Sequence, residues 1–308
     1  MTVLERYQYA ITALADGRYR EGFAAYDARW EAAGIARPSI TDPAILGREW
    51  HGENVSGKRL LLHAEQGVGD CIQFLRYVPL VKALGPEIVL EVSPALRDLT
   101  ALLRSPCAIG NGTPQTRFDL HCSLMSLPAI FGTTVNIVPP PADFCLPQST
   151  CTHWNQLIPK RDHKNIGLVW AGNPEHPHDA QRSIGFESLS PIFETDRRCR
   201  FFGFQRGPSG LSASSEQVVN LGPRMTSFVE TAAALLQMDL LITVDTAIAH
   251  LAGSLGVPTW LMLPFAASWR WMRNRSDTRW YPGMHLLRQP APGDWSSVIS
   301  QVRQSAQL

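Results

Sequence analysis

The 308-residue sequence has almost no net charge: 28 Lys and Arg against 27 Asp and Glu leave a formal +1. No overall field therefore favours nucleic acid or an anionic membrane. Long apolar runs are also missing. The richest stretch, "LLITVDTAIAHLAGSLGVPTWLML", is interrupted by Asp245, His250 and Pro258, which argues against a membrane-spanning helix. The start, "MTVLERYQYA", has no basic end followed by an apolar segment, so no signal peptide is expected and the expected location is cytoplasmic. Cys71, Cys107, Cys122, Cys145, Cys151 and Cys199 form no C-x-x-C pair. That pattern disfavours a disulfide framework and favours reduced, mostly buried thiols.

What is present is ordinary for a folded chain: 44% hydrophobic, 18% charged, and long enough for two domains with real cores. Residues 1–35 read as two short helices, with Tyr7, Ile11 and Leu14 at helical spacing, "DGRY" as a turn, and Phe23, Tyr26 and Trp30 on the second helix. Such a pair cannot bury its own faces and must pack on something else. Residues 36–58, rich in Pro, Gly and polar side chains, read as a connector.

From Arg59 the pattern alternates: "RLLLHA" as a strand, "CIQFLRYVPLVKAL" as a helix kinked or restarted at Pro79, "EIVLEV" as a strand, "PALRDLTALL" as a helix, then "FDLHCSLMSLPAIFG". The proline-rich "NIVPPPADFCLP" marks a boundary, which places one domain at 59–155 and a second at 156–308. There the alternation restarts with "NIGLVWAG", "RFFGFQRG", "FVETAAALLQM", "LLITVD", "AIAHLAGSLG" and "PTWLML", and "DWSSVISQVRQSA" closes as an amphipathic helix capped by Asp294. Two α/β domains with parallel sheets are implied, facing a cleft, each able to bind ligands at the carboxyl ends of its strands.

Several polar groups fall at those ends. Asp245, Thr246 and His250 surround the start of a helix at Ala247, where unpaired backbone N–H groups suit a phosphate. In "LVWAGNPEHPHDAQRSI", Gly172 and Asn173 could bring donors near a ligand, while Arg182 and Ser183 could serve a diphosphate. His176, His178 and Asp179 read as a solvated loop, and no further ligand cluster supports a metal beside the two histidines. Gln205 and Arg206 sit at a third strand tip. In "HAEQGVGDCIQFLRY", Gln66, Gly67 and Gly69 form a glycine loop, and Asp70 is either a helix cap or a base. "SWRWMRNRSDTRWYPG" mixes Trp269, Trp271 and Trp280 with four arginines; it suits stacking on one nucleotide or plain packing of a loop, not nucleic acid.

Together these segments resemble the heptosyltransferase-like glycosyltransferases, glycosyltransferase family 9 with the GT-B fold, and most of all the branch at the end of bacterial tetratricopeptide-repeat proteins. The resemblance rests on "EQGVGDCIQFLRYVPLV", "FDLHCSLMSLP", "GLVWAGNP", "QRSI", "VDTAIAHLAGSLGVPTWLML" and "WRWM", in that order over most of 48–290. The helical pair resembles a last tetratricopeptide repeat. The resemblance implies transfer of a sugar from an ADP- or UDP-linked donor, inverting and without a metal or other cofactor. It further implies Asp70 as general base, and Arg182, Asp245, Thr246, Ala247 and His250 as donor-site residues. The acceptor, a glycan, a lipid-linked molecule or a protein, is left open, and peripheral membrane contact stays compatible. No D-x-D triplet is present, the usual manganese handle of metal-dependent transferases. Two features depart from the branch: Ser268 stands where aspartate usually precedes "WRW", and the loop at 174–181 is long. A non-catalytic interaction module on a degenerate GT-B body and a nucleotide-sugar epimerase are the rival expectations.

Overall fold

The computed structural model describes residues 1–32, 48–110, 118–160, 163–193, 198–207 and 217–305. The expected connector lies outside the described residues up to position 47. The chain forms two units: Met1–Cys145 with Ser268–Asn274, and Leu146–Ala267 with Arg275–Leu308.

The first unit is built on four parallel strands: β1 (Arg59–His63), β2 (Glu87–Glu91), β3 (Ala108–Ile109) and β4 (Leu120–Ser123), in the order β3-β2-β1-β4. Leu60, Leu61 and Leu62 are all buried, which explains an uninterrupted apolar run instead of an alternating one. The register pairs Leu60 with Ile88 and Leu120, and Leu62 with Leu90 and Cys122. The helical segment after β1 is not continuous. Val68–Phe74 and Val78–Lys82 are α-helical, and Leu75–Tyr77 tightens to a 3₁₀ turn before Pro79 restarts the helix in its first turn. The Tyr77 hydroxyl shares a 2.7 Å hydrogen bond with Thr133, and burial pushes its pKa up to about 12.

The N-terminal helices are Val3–Ala15 and Tyr19–Tyr26. Thr2 and Glu5 form a reciprocal cap on the first, with bonds of 3.2 and 2.7 Å. Gly17, at φ +80°, makes the turn. Trp30 does not extend the second helix as its spacing suggested; it belongs to a separate turn of helix, Arg29–Ala32. That break turns Arg29 inward, where it is fully buried and ion-paired with Glu65 at 2.5 Å. Asp27, at 2.5 Å, Ser126, at 2.9 Å, and the Tyr26 carbonyl, at 3.3 Å, are further partners. The helical pair is thus tied into the first unit by a buried charge pair as well as by apolar contact.

The second unit carries six parallel strands: β5 (Lys164–Val169), β6 (Cys199–Gly203), β7 (Val218–Asn220), β8 (Leu240–Val244), β9 (Thr259–Leu263) and β10 (Met284–Arg288). Their order is β10-β9-β8-β5-β6-β7, a doubly wound arrangement whose direction reverses between β5 and β8. Ile166, Leu168, Ile242, Val244, Met262 and Leu287 form its core with Val298, Ile299 and Val302 of the closing helix, Trp295–Ser305. Asp294 caps that helix as expected, accepting from the Ser297 N–H at 3.0 Å and from the Ser297 and Ser296 hydroxyls at 2.6 and 2.8 Å. Helix Gln148–Leu157 belongs to this unit, so the boundary expected at 155/156 falls inside a helix. Its Trp154 indole donates to Glu230 at 2.5 Å. All six cysteines are free, but only Cys71 and Cys122 are buried.

Candidate functional site

The reversal between β5 and β8 leaves two strand ends side by side with no helix crossing over them, a natural place for a ligand. Five expected residues assemble there. The backbone leaves β5 through Trp170, Ala171 and Gly172. Gln205, just past β6, accepts from the Trp170 and Ala171 N–H groups at 3.3 and 3.0 Å. The Gly172 N–H donates to the Ser183 hydroxyl at 2.8 Å. Arg182 donates from Nη1 to the Asp245 carbonyl at 3.0 Å and from Nε to Asp179 at 3.1 Å. Its guanidinium therefore spans the gap between the β5 turn and the end of β8. A Cβ on residue 172 would meet Asp179 Oδ1 and lie 2.5 Å from Arg182 Nη2 and 2.7 Å from Nε, so the ends of both side chains would have to move to admit it.

Thr246 and Ala247 open the helix Ala247–Ser254 directly after β8. Thr246 occupies the N-cap position in extended geometry, yet its side chain makes no capping bond. Its hydroxyl oxygen is buried and has no hydrogen-bond partner. A buried hydroxyl left unpaired costs free energy, which makes the position suited to a ligand oxygen. The adjoining first-turn N–H groups add positive potential. The remaining expected donor residues sit differently. Asn173 is exposed, and its side-chain oxygen accepts from the Glu175 N–H at 3.2 Å. His250 is buried against Tyr281, its Nδ1 3.1 Å from the phenol oxygen.

Asp179, read from the sequence as part of a solvated loop, is a structural member of the cluster. It accepts from Arg182 and, at 2.9 Å, from the Ser183 hydroxyl. Its spacing of three and four residues from Arg182 and Ser183 was the available signal. Nearby, burial and then the Arg182 charge hold the His176 imidazole below its ordinary pKa. Among the described residues no group of three or more His, Cys, Asp or Glu is arranged to hold a metal ion.

The glycine loop lies in the first unit. Gln66 takes a positive φ of 60°, Gly67 is the N-cap of Val68–Phe74, and Gly69 falls within that helix's first turn. Asp70 accepts from the Gly67 N–H at 2.9 Å, so it does cap the helix. It is also ion-paired with Arg270. Arg270 arrives on Ser268–Asn274, seven residues that the later part of the chain contributes to the first unit. Its Nε donates to Gln73 at 3.0 Å, its Nη1 to the Ser268 hydroxyl at 3.2 Å, and its guanidinium lies 4.4 Å from the Trp269 ring centroid. Trp269 packs edge-on against Phe23 and Tyr26, each with ring centroids 5.7 Å away. Trp269, Trp271 and Trp280 are all buried, so of the two uses expected for this aromatic stretch the structure shows packing. No sequence signal linked Arg270 to Asp70.

No family model matches the chain. Protein FlbA of Caulobacter vibrioides is 26% identical over 332 residues, covering 96% of this chain and 54% of that protein. The chain thus spans about half the length of the curated relative it matches. Among solved structures, a glycosyl transferase family 9 protein from Veillonella parvula superposes with a TM-score of 0.61 at 12% identity, over 84% of this chain and 98% of that one. The E. coli ADP-heptose LPS heptosyltransferase II superposes with a TM-score of 0.55 at 11% identity, over 81% of this chain and 100% of that one. At such identities the likeness is one of fold, and the fold is the expected one: two parallel-sheet α/β units of the GT-B kind.

Proposed function

We propose that this chain is a glycosyltransferase that takes a sugar from a nucleoside-diphosphate donor, ADP- or UDP-linked, and passes it to an acceptor hydroxyl. The observation that carries the reading is the unpartnered Thr246 hydroxyl at a helix start, beside the Arg182 guanidinium, at the point where the strand order reverses. Diphosphate oxygens supply what that place lacks: acceptors for the hydroxyl and the helix N–H groups, and negative charge for the guanidinium. The E. coli structural neighbour, an ADP-heptose heptosyltransferase, agrees with this choice.

In the proposed reaction the acceptor oxygen attacks the anomeric carbon as the bond from that carbon to the diphosphate oxygen breaks. The acceptor proton passes to the Asp70 carboxylate, and the diphosphate leaves with its charge stabilised by Arg182 and the Ala247 helix start. A single displacement inverts the anomeric centre. No step calls on a metal or other cofactor. Residues 59–155 would serve the acceptor and 156–308 the donor. The tetratricopeptide-like pair at 1–35 would form part of the acceptor side.

The rival reading, a non-catalytic interaction module, draws on one observation: both Asp70 oxygens already have partners within the first unit. Thermal unfolding with ADP, UDP and their sugars separates the two. A ligand at a hundred times its Kd adds about 2.7 kcal/mol. The transferase reading expects one nucleotide to raise the Tm of the wild type and Arg182→Ala to abolish the shift. Absence of any shift at millimolar nucleotide would defeat it and leave the interaction module.

A further inference from the structure

We propose that Arg270 is a positioning residue for Asp70, fixing the carboxylate in the orientation that receives the acceptor proton; this rests on the glycosyltransferase reading above. The alternative role for such a pair would be a latch that opens to release the carboxylate. The anchoring of Arg270 speaks against a latch. It is 8% exposed, and every edge of its guanidinium is engaged: Asp70, Gln73, Ser268 and the face of Trp269. Trp269 is in turn wedged against Phe23 and Tyr26 of the N-terminal helices. Tyr26 stacks on the buried Arg29, 5.0 Å from its ring centroid, and Arg29 is paired with Glu65 at the mouth of the glycine loop. The fixed end of the pair is therefore the guanidinium, and Asp70 is the group being held.

The carboxylate remains usable. Arg270 takes one oxygen and the Gly67 N–H takes the other. Each carboxylate oxygen has a second lone pair, so a proton can still be accepted while both contacts persist. The Asp70 side chain is 19% exposed, against 10% for that of Arg270. Access for an acceptor thus lies on the carboxylate side. The helical pair, the Ser268–Asn274 segment and the glycine loop act together as a mount for one oxygen atom.

The test has two arms. In the first, urea unfolding of the wild type, Asp70→Asn, Arg270→Gln and the double variant forms a thermodynamic cycle, which needs no substrate. Non-additive stabilities are expected; additive ones would overturn the pairing and the proposal with it. In the second, release of ADP from ADP-heptose or of UDP from a UDP-hexose, whichever the wild type turns over with water as acceptor, is followed for the wild type, Arg270→Gln and Arg270→Lys. Arg270→Gln should lower kcat at least tenfold with the donor KM changed less than twofold, and Arg270→Lys should recover part of the loss. A coupled cycle with unchanged kcat would make the pair merely structural and defeat the proposal. A wild type that binds neither ADP nor UDP and releases neither from its sugar would defeat the glycosyltransferase reading itself, and the positioning role with it, while the cycle still reported the pair.

Discussion

In the second unit the Arg182 guanidinium is bonded to Asp179, three residues away, and to the carbonyl at the end of the adjacent strand β8. In the first unit, Arg270 meets Gln73 from 197 residues away, and neither residue's neighbourhood announces the other. The two arginines also differ in what they leave open. Beside Arg182 a buried hydroxyl has no partner, while Arg270 is enclosed by contacts. The contrast lies in the charged groups, since the Gln73 amide nitrogen beside Arg270 is also buried without a hydrogen-bond partner.

The largest expected effect sharpens the contrast at the level of stability. Arg29→Met would leave Glu65 charged and enclosed without its partner, since both side chains of that pair are 0% exposed. A loss of about 3–5 kcal/mol in urea unfolding is expected. Arg182→Ala should cost much less, because its pair with Asp179 keeps side-chain exposures of 19% and 14%. Equal losses would break the distinction between the two kinds of charge pair.

Next comes Gly172→Ala, which drives a methyl group into Arg182. A stability loss of about 1 kcal/mol, the low end for overpacking because the two side-chain ends can move, is expected, together with loss of the nucleotide-induced Tm shift. A variant that keeps the shift would mean that the guanidinium position does not matter for binding. Thr246→Val is smaller and more selective. It removes an unpartnered hydroxyl, so stability without ligand should hold or rise slightly, while nucleotide affinity in calorimetry falls by about 1 kcal/mol. A drop in stability with affinity intact would show that the hydroxyl serves the fold.

The smallest effect lies away from both sites. Hydrogen bonds from Ser297 and Ser296 hold the half-buried Asp294 carboxyl below its ordinary pKa. A depressed folded-state pKa stabilises above the unfolded value, near 3.9, and that contribution disappears as pH falls through the folded value. Asp294→Asn should therefore differ from the wild type most at neutral pH, and the two should converge in urea titrations as pH falls through the folded value.

These comparisons also show what the sequence could reveal. Gly172, Asp245 and Thr246 stood out because each lies just past an apolar strand run, where chain direction and polarity change within a few residues, and Arg182 and Ser183 stood out as a charge and a hydroxyl closing the polar loop after Gly172. Strands β5, β8 and β9 were legible for the same reason. Strands β3 and β7, two and three residues long, are too short to show a pattern, and the five-residue β10 follows an aromatic and basic stretch that drew the reading elsewhere. Asp179 was lost because an acidic residue directly after two loop histidines looks solvated unless its partners are known. Arg270 was lost because an ion pair across so many residues leaves no local trace. For Asp70 the sequence offered a cap or a base; the structure shows the cap, and the base remains the proposal.

The insertion of Ser268–Asn274 into the first unit has a consequence for biosynthesis. At roughly 5–20 residues per second, a ribosome needs on the order of ten seconds to pass from Cys145 to Ser268. Throughout that interval the nascent first unit has every strand it will use, but Phe23 and Tyr26 lack the indole that covers them. A chaperone or the emerging second unit has to tolerate that uncovered aromatic face. A gene cut after codon 145 would make the exposure permanent.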